Sequence, residues 1–258
     1  MHNSVAHSVS KVPEITLAFW FTKILATTLG ETGGDAVSMS MDLGYLVSTG
    51  IFAVIFFIAV GAQISAKRYN PALYWTTIIA TTTVGTTLAD FADRSMGMGY
   101  AGGSTLLFLL LMGSFLVWYK FQGNIATSDI SSSRTEMFYW ITIMFSQTLG
   151  TALGDWVADD GGFGYTGSMV LFGGILLAIV ATYLLTRVSR TLLFWAAFII
   201  TRPLGAVVGD FLDKPLGKGG LELSRYSASA ALLAAIALLV YLSTLKKREV
   251  IPQELDPE

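Results

Sequence analysis

The sequence predicts an all-α polytopic membrane protein: eight transmembrane helices, arranged as four parallel two-helix repeats in two pseudo-symmetric halves. Three observations carry this. The 258 residues are 53% hydrophobic and only 13% charged, with a mean hydropathy of +0.61, whereas soluble domains carry roughly 25% charged residues. Apolar stretches recur at 14–34, 44–64, 71–89, 101–119, 136–154, 165–186, 191–209 and 226–245, and stretches of about 20 residues reach across a bilayer. Four times a tryptophan is followed ten residues later by glycine and five after that by aspartate: Trp20, Gly30, Asp35; Trp75, Gly85, Asp90; Trp140, Gly150, Asp155; Trp195, Gly205, Asp210. These tryptophans are 55, 65 and 55 residues apart, so residues 1–120 recur as 121–240.

None of the stretches alternates with period two, and lipid offers backbone polar groups no other partner, so each is read as a helix. The first carries Lys23, Thr27, Glu31 and Asp35 at successive fours, hence on one face. The second is apolar and returns the chain. The third repeats the polar stripe with Thr82, Thr86 and Asp90, and Asp93 follows a turn later; the fourth returns. A Ser-rich linker at 129–133 joins the halves. The fifth carries Gln147, Thr151, Asp155 and Asp159, and the sixth returns. The seventh carries Arg202, Ala206 and Asp210, then Asp213, and the eighth closes the series. The repeats fall at about 14–66, 69–121, 134–187 and 190–245, within a single transmembrane domain 1–245 and ahead of a cytoplasmic tail 246–258. Two spans per unit give successive units the same orientation, so the repeats are parallel and not inverted.

Four residues after each registered glycine stands Gly34, Ala89, Gly154 or Gly209. Small residues at i and i+4 share a face and let helices approach closely in lipid. An even number of spans puts both termini on one side. That side holds Lys11, Lys67, Arg68, Lys120, Arg134, Arg187, Arg190, Lys246, Lys247 and Arg248, against Arg94, Lys214, Lys218 and Arg225 on the other. The bias assigns both termini to the cytoplasm of a multi-pass protein. Each tryptophan lies about 22 Å from its aspartate along the helix, which suits a cytoplasmic interfacial belt. The opposite end gathers acid: Asp42, Asp159, Asp160 and Glu222 add to the stripes, and Tyr45, Tyr100 and Tyr165 recur there as interfacial anchors. In the fourth copy Tyr226 comes only after an insertion with Lys214, Lys218 and Arg225, which suits a lid or a homo-oligomer contact.

Much chemistry is excluded. There is no cysteine, and the only histidines are His2 and His7 in a polar tail. Thiolate sites, thioether-bound haem and most zinc or copper(II) sites are therefore out. No basic cluster suggests nucleic acid, no P-loop is present, and no histidine base serves an enzyme. The first 11 residues lack a cleavable signal pattern. Met39, Met41, Met96 and Met98 form two Met-x-Met pairs, which could meet copper(I), yet the second half has no counterpart.

The registered carboxylates remain. At a helix C-terminus they oppose the macrodipole, and ionisable groups in spans face cavities or pathways. Lys23 and Arg202 are costly inside a span and serve either as fixed counter-ions or as cations that leave a partner on ion arrival. Hard oxygen ligands suit Mn²⁺, Mg²⁺ or Ca²⁺. The expectation is an ion-gradient-driven cation transporter with a divalent ion such as manganese or magnesium as cargo and no resident cofactor. Glu31, Asp35, Asp90, Asp155 and Asp210 are the expected ligands or proton carriers, with Thr27, Thr82, Gln147 and Arg202 lining the path below. The expected partners are the lipid bilayer and the cation. Two alternatives stay open: a pseudo-fourfold channel with an aspartate ring, and a membrane assembly or sensor protein in which the stripes only hold helices together.

The four Trp–Gly–Asp units, with Thr28-Leu29-Gly30, Thr83-Val84-Gly85 and Thr148-Leu149-Gly150, resemble the family of bacterial membrane proteins built from four tandem two-span DUF347 repeats. The resemblance covers about residues 14–245, and the fourth copy departs by having Pro203 where the others have threonine. It implies this architecture and a bacterial inner-membrane location, and no substrate.

Overall fold

A computed structural model describes residues 10–250; the tail histidines His2 and His7 and residues 251–258 lie outside the described residues. Eight long α-helices follow the expected order: α1 (Leu17–Asp35), α2 (Gly44–Ser65), α3 (Pro71–Asp90), α4 (Gly99–Gln122), α5 (Ser133–Asp155), α6 (Gly164–Leu185), α7 (Arg190–Asp213) and α8 (Arg225–Val250). No strand occurs among the described residues. Helix α8 runs five residues past the expected end of the domain.

The four odd helices start with side-chain caps. Thr16, Asn70, Ser132 and Ser189 each accept a hydrogen bond from the backbone N–H three residues on, and Pro71 follows Asn70 at the first helical position. None of these four helices stops at the registered aspartate. Five-residue π-helical turns, Ala36–Ser40, Phe91–Ser95 and Trp156–Asp160, continue α1, α3 and α5, and α7 continues to Asp213. The aspartates thus sit inside continuous helical structure rather than at exposed ends, which corrects the expectation that they oppose a terminal dipole.

The odd helices form a closed inner ring. α1 packs on α3, α3 on α5, α5 on α7, and α7 back on α1. The even helices form an outer layer with a one-repeat offset: α2 lies on α3, α4 on α5, α6 on α7, and α8 on α1. The outward faces of these four helices carry exposed Phe57, Leu109, Val170, Leu177 and Leu238. Five helices, α2, α4, α6, α7 and α8, are long and apolar enough to cross a membrane. The remaining three, α1, α3 and α5, fall short of the eight apolar spans expected. Their buried faces are crowded with hydroxyls and charges, such as Thr27, Glu31, Thr82, Thr86, Gln147 and Thr151, and covering outer helices remove the need for an apolar surface.

The ring closes through the registered glycines. A Cβ on Gly30 of α1 would strike Thr82 of α3; one on Gly85 would come within 3.1 Å of the Gln147 carbonyl carbon on α5. One on Gly150 would strike Arg202 of α7, and one on Gly205 would strike Thr27 of α1. A turn later, Gly34 faces Thr86, Gly154 faces Ala206, and Gly209 faces Glu31. Each helix therefore offers bare backbone to the polar stripe of the next, as the small-xxx-small pattern predicts. In α1, α3 and α5, the hydroxyls of Thr28, Thr83 and Thr148 donate to the carbonyls four residues back; at the matching place α7 has Pro203, which packs beside Gly150.

The tryptophans differ from expectation. Trp75, Trp140 and Trp195 are buried, and Trp20 is partly buried, in an aromatic cluster with Phe19, Tyr74, Trp118, Tyr139, Phe194 and Phe198. They close one end of the ring instead of forming a surface belt. The Tyr74 and Tyr139 hydroxyls share a 2.7 Å hydrogen bond inside this plug. Lys11 fastens the preceding segment there: its ammonium donates to Glu136 at 2.7 Å and to the Ile64 carbonyl.

The glycine contacts generate a mutational expectation. Gly205→Ala forces a methyl against Thr27 and lowers stability by ~1–3 kcal/mol. Gly113→Ala, whose Cβ meets nothing within 4 Å, stays within ~1 kcal/mol of the parent. Thermal unfolding of the two variants in detergent checks this.

Candidate functional site

The repeat register stacks the polar stripes into layers inside the ring. Nearest the aromatic plug, Lys23 shares a register with Ile78, Ile143 and Phe198; its ammonium lies 3.9 Å from the Phe198 ring centroid. The next layer is Thr27, Thr82, Gln147 and Arg202, and the next Glu31, Thr86, Thr151 and Ala206. The last holds Asp35, Asp90, Asp155 and Asp210. All of these residues are buried, and Lys23 and Arg202 have 0% exposure.

Arg202 ties the four inner helices together. Both terminal nitrogens of its guanidinium lie 3.2 Å from Glu31 Oε2 on α1, and one also donates to Thr86 on α3 and Thr151 on α5. Thr86 in turn donates to Glu31 at 3.3 Å and to the Gly30 carbonyl at 3.2 Å. The planar fork of arginine suits this many-partner geometry, where a lysine would offer a point charge.

The aspartate layer is paired two by two. Lys214 bridges Asp35 and Asp210, at 2.5 and 3.0 Å. Arg94 bridges Asp90 and Asp155, at 3.3 and 3.0 Å. Arg225 holds Asp213 at 2.6 Å and approaches Asp35 at 3.8 Å. On the α1–α7 side, carboxylate oxygens of Glu31, Asp35 and Asp210 lie within 4.8 Å of one another, close enough to share a metal ion. Asp90 and Asp155, also expected as ligands, fall outside that trio, and their oxygens face Arg94.

Of the other expected residues, Asp213 is buried on Arg225. Asp93 is buried away from the axis, with its carboxylate over Gly103 of α4. Asp159 is exposed and accepts a 3.1 Å hydrogen bond from Tyr100, so it does not join the inner layers. Asp42, Asp160 and Glu222 are likewise on the surface, as are Met41, Met96 and Met98. Tyr165 is buried, Tyr100 meets Asp159, and Tyr45 accepts from Arg94, so these tyrosines do more than anchor an interface. Lys214 of the fourth connector reaches into the aspartate layer. Backbone pairing of Leu221 with Phe211, Glu222 with Lys214 and Leu223 with Leu212 fixes that connector.

Arg94 and Lys214, which pair the four aspartates, are missed by the stripe pattern. Both stand four residues after a registered aspartate, where the other two copies have Met39 and Asp159. Comparing copies at that offset finds them. Some buried polar atoms have no hydrogen-bond partner: Lys23 Nζ, Thr82 Oγ1, both Gln147 amide atoms, Arg202 Nε and Asp35 Oδ1.

Fold and site define an all-helical, internally repeated protein with several membrane-capable helices around a buried charged core. The family described as Repeat of Unknown Function (DUF347) matches four times, at residues 18–69, 73–124, 138–189 and 193–249, and the chain belongs to it. No curated protein and no solved structure matches the chain.

Two outcomes follow. Arg202→Met strands Glu31 as a buried unpaired charge and costs ~3–5 kcal/mol; adding Glu31→Gln restores much of this, which a double-mutant cycle of unfolding midpoints measures. In the π turn beyond α3, burial raises Asp93 from 3.8 to about 6, against the opposing charge of Arg94. A carboxyl raised on folding binds more protons in the folded state, so stability falls as pH rises from about 4 to 6. Asp93→Asn removes that part of the slope in unfolding measured across this range.

Proposed function

We propose that this chain is an ion-coupled carrier of divalent cations, with manganese or magnesium as the natural cargo, in a bacterial inner membrane. In this reading all eight helices span the bilayer. The outer helices meet lipid, while α1, α3, α5 and α7 form a polar interior; both termini are cytoplasmic, as the lysine and arginine bias indicates.

One observation carries the reading. Four buried carboxylates, Asp35, Asp90, Asp155 and Asp210, form one layer bridged by Arg94 and Lys214, and Arg225, shared with Asp213, reaches Asp35 at 3.8 Å. Arg202 balances Glu31, and Arg225 balances Asp213. Two negative charges are left over in the aspartate layer. Burying unpaired charge is costly, and one divalent cation or two protons neutralise it. That equivalence is the basis of exchange: cargo and protons compete for the same oxygens, with Glu31, Asp35 and Asp210 as the nearest hard-ligand set.

The aromatic plug favours a carrier over a standing pore. Tyr74, Tyr139, Trp140 and Phe198 are all at or below 2% exposure, so passage requires a rearrangement there. We assign no enzymatic step to the site. The assembly reading has its own support, since Arg94 and Lys214 each join two neighbouring inner helices.

Uptake into proteoliposomes under a pH gradient separates these readings. Wild-type protein accumulates Mn²⁺, and Asp35→Asn with Asp210→Asn stops accumulation while the exposed control Asp160→Asn keeps it. Unchanged flux in the folded double variant would sink the carrier. A loss of folding in that variant, with no flux from the wild type, favours assembly.

A further inference from the structure

The half of the core nearest the aromatic plug has the opposite character to the aspartate layer. Lys23 and Arg202 are two basic side chains, and among the described residues Glu31 is the carboxylate that pairs with one of them, Arg202. Arg202 claims Glu31 through both terminal nitrogens. Lys23 has no ion pair and no hydrogen-bond partner for its ammonium, at 0% exposure. Its ammonium lies over the Phe198 ring, and a ring face replaces only part of the hydration that an ammonium loses on burial.

Further unpartnered polar atoms lie in the next register layer. Thr82 of α3 and Gln147 of α5, both at 0% exposure, leave a hydroxyl and both amide atoms unused, and Arg202 of α7 leaves its Nε unused. Counting Lys23 of α1, every inner helix thus supplies one unpaired donor within one turn of the register. Buried polar groups are nearly always paired, and a cluster of exceptions calls for a ligand. Donors with one positive charge in excess recognise a monovalent anion. Thr82 packs directly on Gly30 and Gln147 on Gly85, and seams this close favour a small anion.

We infer that Lys23, with Thr82, Gln147 and Arg202 Nε, forms a binding site for a small monovalent inorganic anion of halide size. The site lies in the inner ring between the aromatic plug and the Arg202–Glu31 pair. It is independent of cation handling by the aspartates, which sit two turns further along.

Unfolding of the full chain in detergent tests this, with sodium chloride or bromide compared against sodium gluconate at equal ionic strength. Chloride raises the wild-type midpoint by at least ~3 °C, in a saturable manner. Lys23→Gln removes the increment, whereas Lys23→Arg keeps it. The readout is the difference between wild type and variant, which cancels general salt effects. An equal midpoint in chloride and gluconate for the wild type overturns the site, as does an increment that survives Lys23→Gln. Should Lys23→Gln fail to fold, Gln147→Ala decides: a weakened chloride response supports the site and an unchanged one overturns it. Loss of Mn²⁺ flux in the aspartate variants leaves this result untouched, so the two claims fail separately.

Discussion

Close approach at four glycine seams is the constraint on which the rest of the structure depends. Gly30, Gly85, Gly150 and Gly205 let each inner helix lie against the polar side chain of the next. With larger residues there, Arg202 could not sit over α5 and still reach Glu31 on α1, and the four aspartates could not share a layer. In lipid no hydrophobic force draws helices together, so contact of this kind and interhelical hydrogen bonds provide the association. The seams and the Arg202 network act together: bare backbone allows the approach, and the guanidinium fastens three neighbours to α7.

The charged groups inside that ring are sorted by depth. The Lys23 and Arg202 half is cationic, the aspartate layer anionic, and the Arg202–Glu31 pair marks the boundary. Such segregation forgoes simple mutual neutralisation of Lys23 by a nearby carboxylate. Structural charge would be cheaper if paired throughout, and both proposed sites rest on that imbalance.

Much of this was legible in the sequence. Helix positions followed from apolar stretches, and the inner face from the four-residue stripes, because lipid permits few alternatives to a helix. The shared burial of Glu31, Asp35, Asp90, Asp155 and Asp210 also followed from their register. Other features were not legible, for physical reasons. A tryptophan near a helix end suits an interface and an aromatic core equally, and Trp75, Trp140 and Trp195 chose the core. The π turns after Asp35, Asp90 and Asp155 carry no sequence signature that periodicity detects. Arg94 and Lys214 were visible as connector charges, yet only the folded chain brings each onto two aspartates. Asp159 kept the four-residue spacing, but the π turn rotates it out of the stripe.

The one-repeat offset of the outer helices has a consequence for repeat number. Because α2 rests on α3 and α8 on α1, no unit packs fully upon itself, and the last must find the first. A solenoid can gain or lose a module and survive; a circle of this kind cannot. Losing one repeat from this chain would strip the outer cover from an inner helix and open the ring.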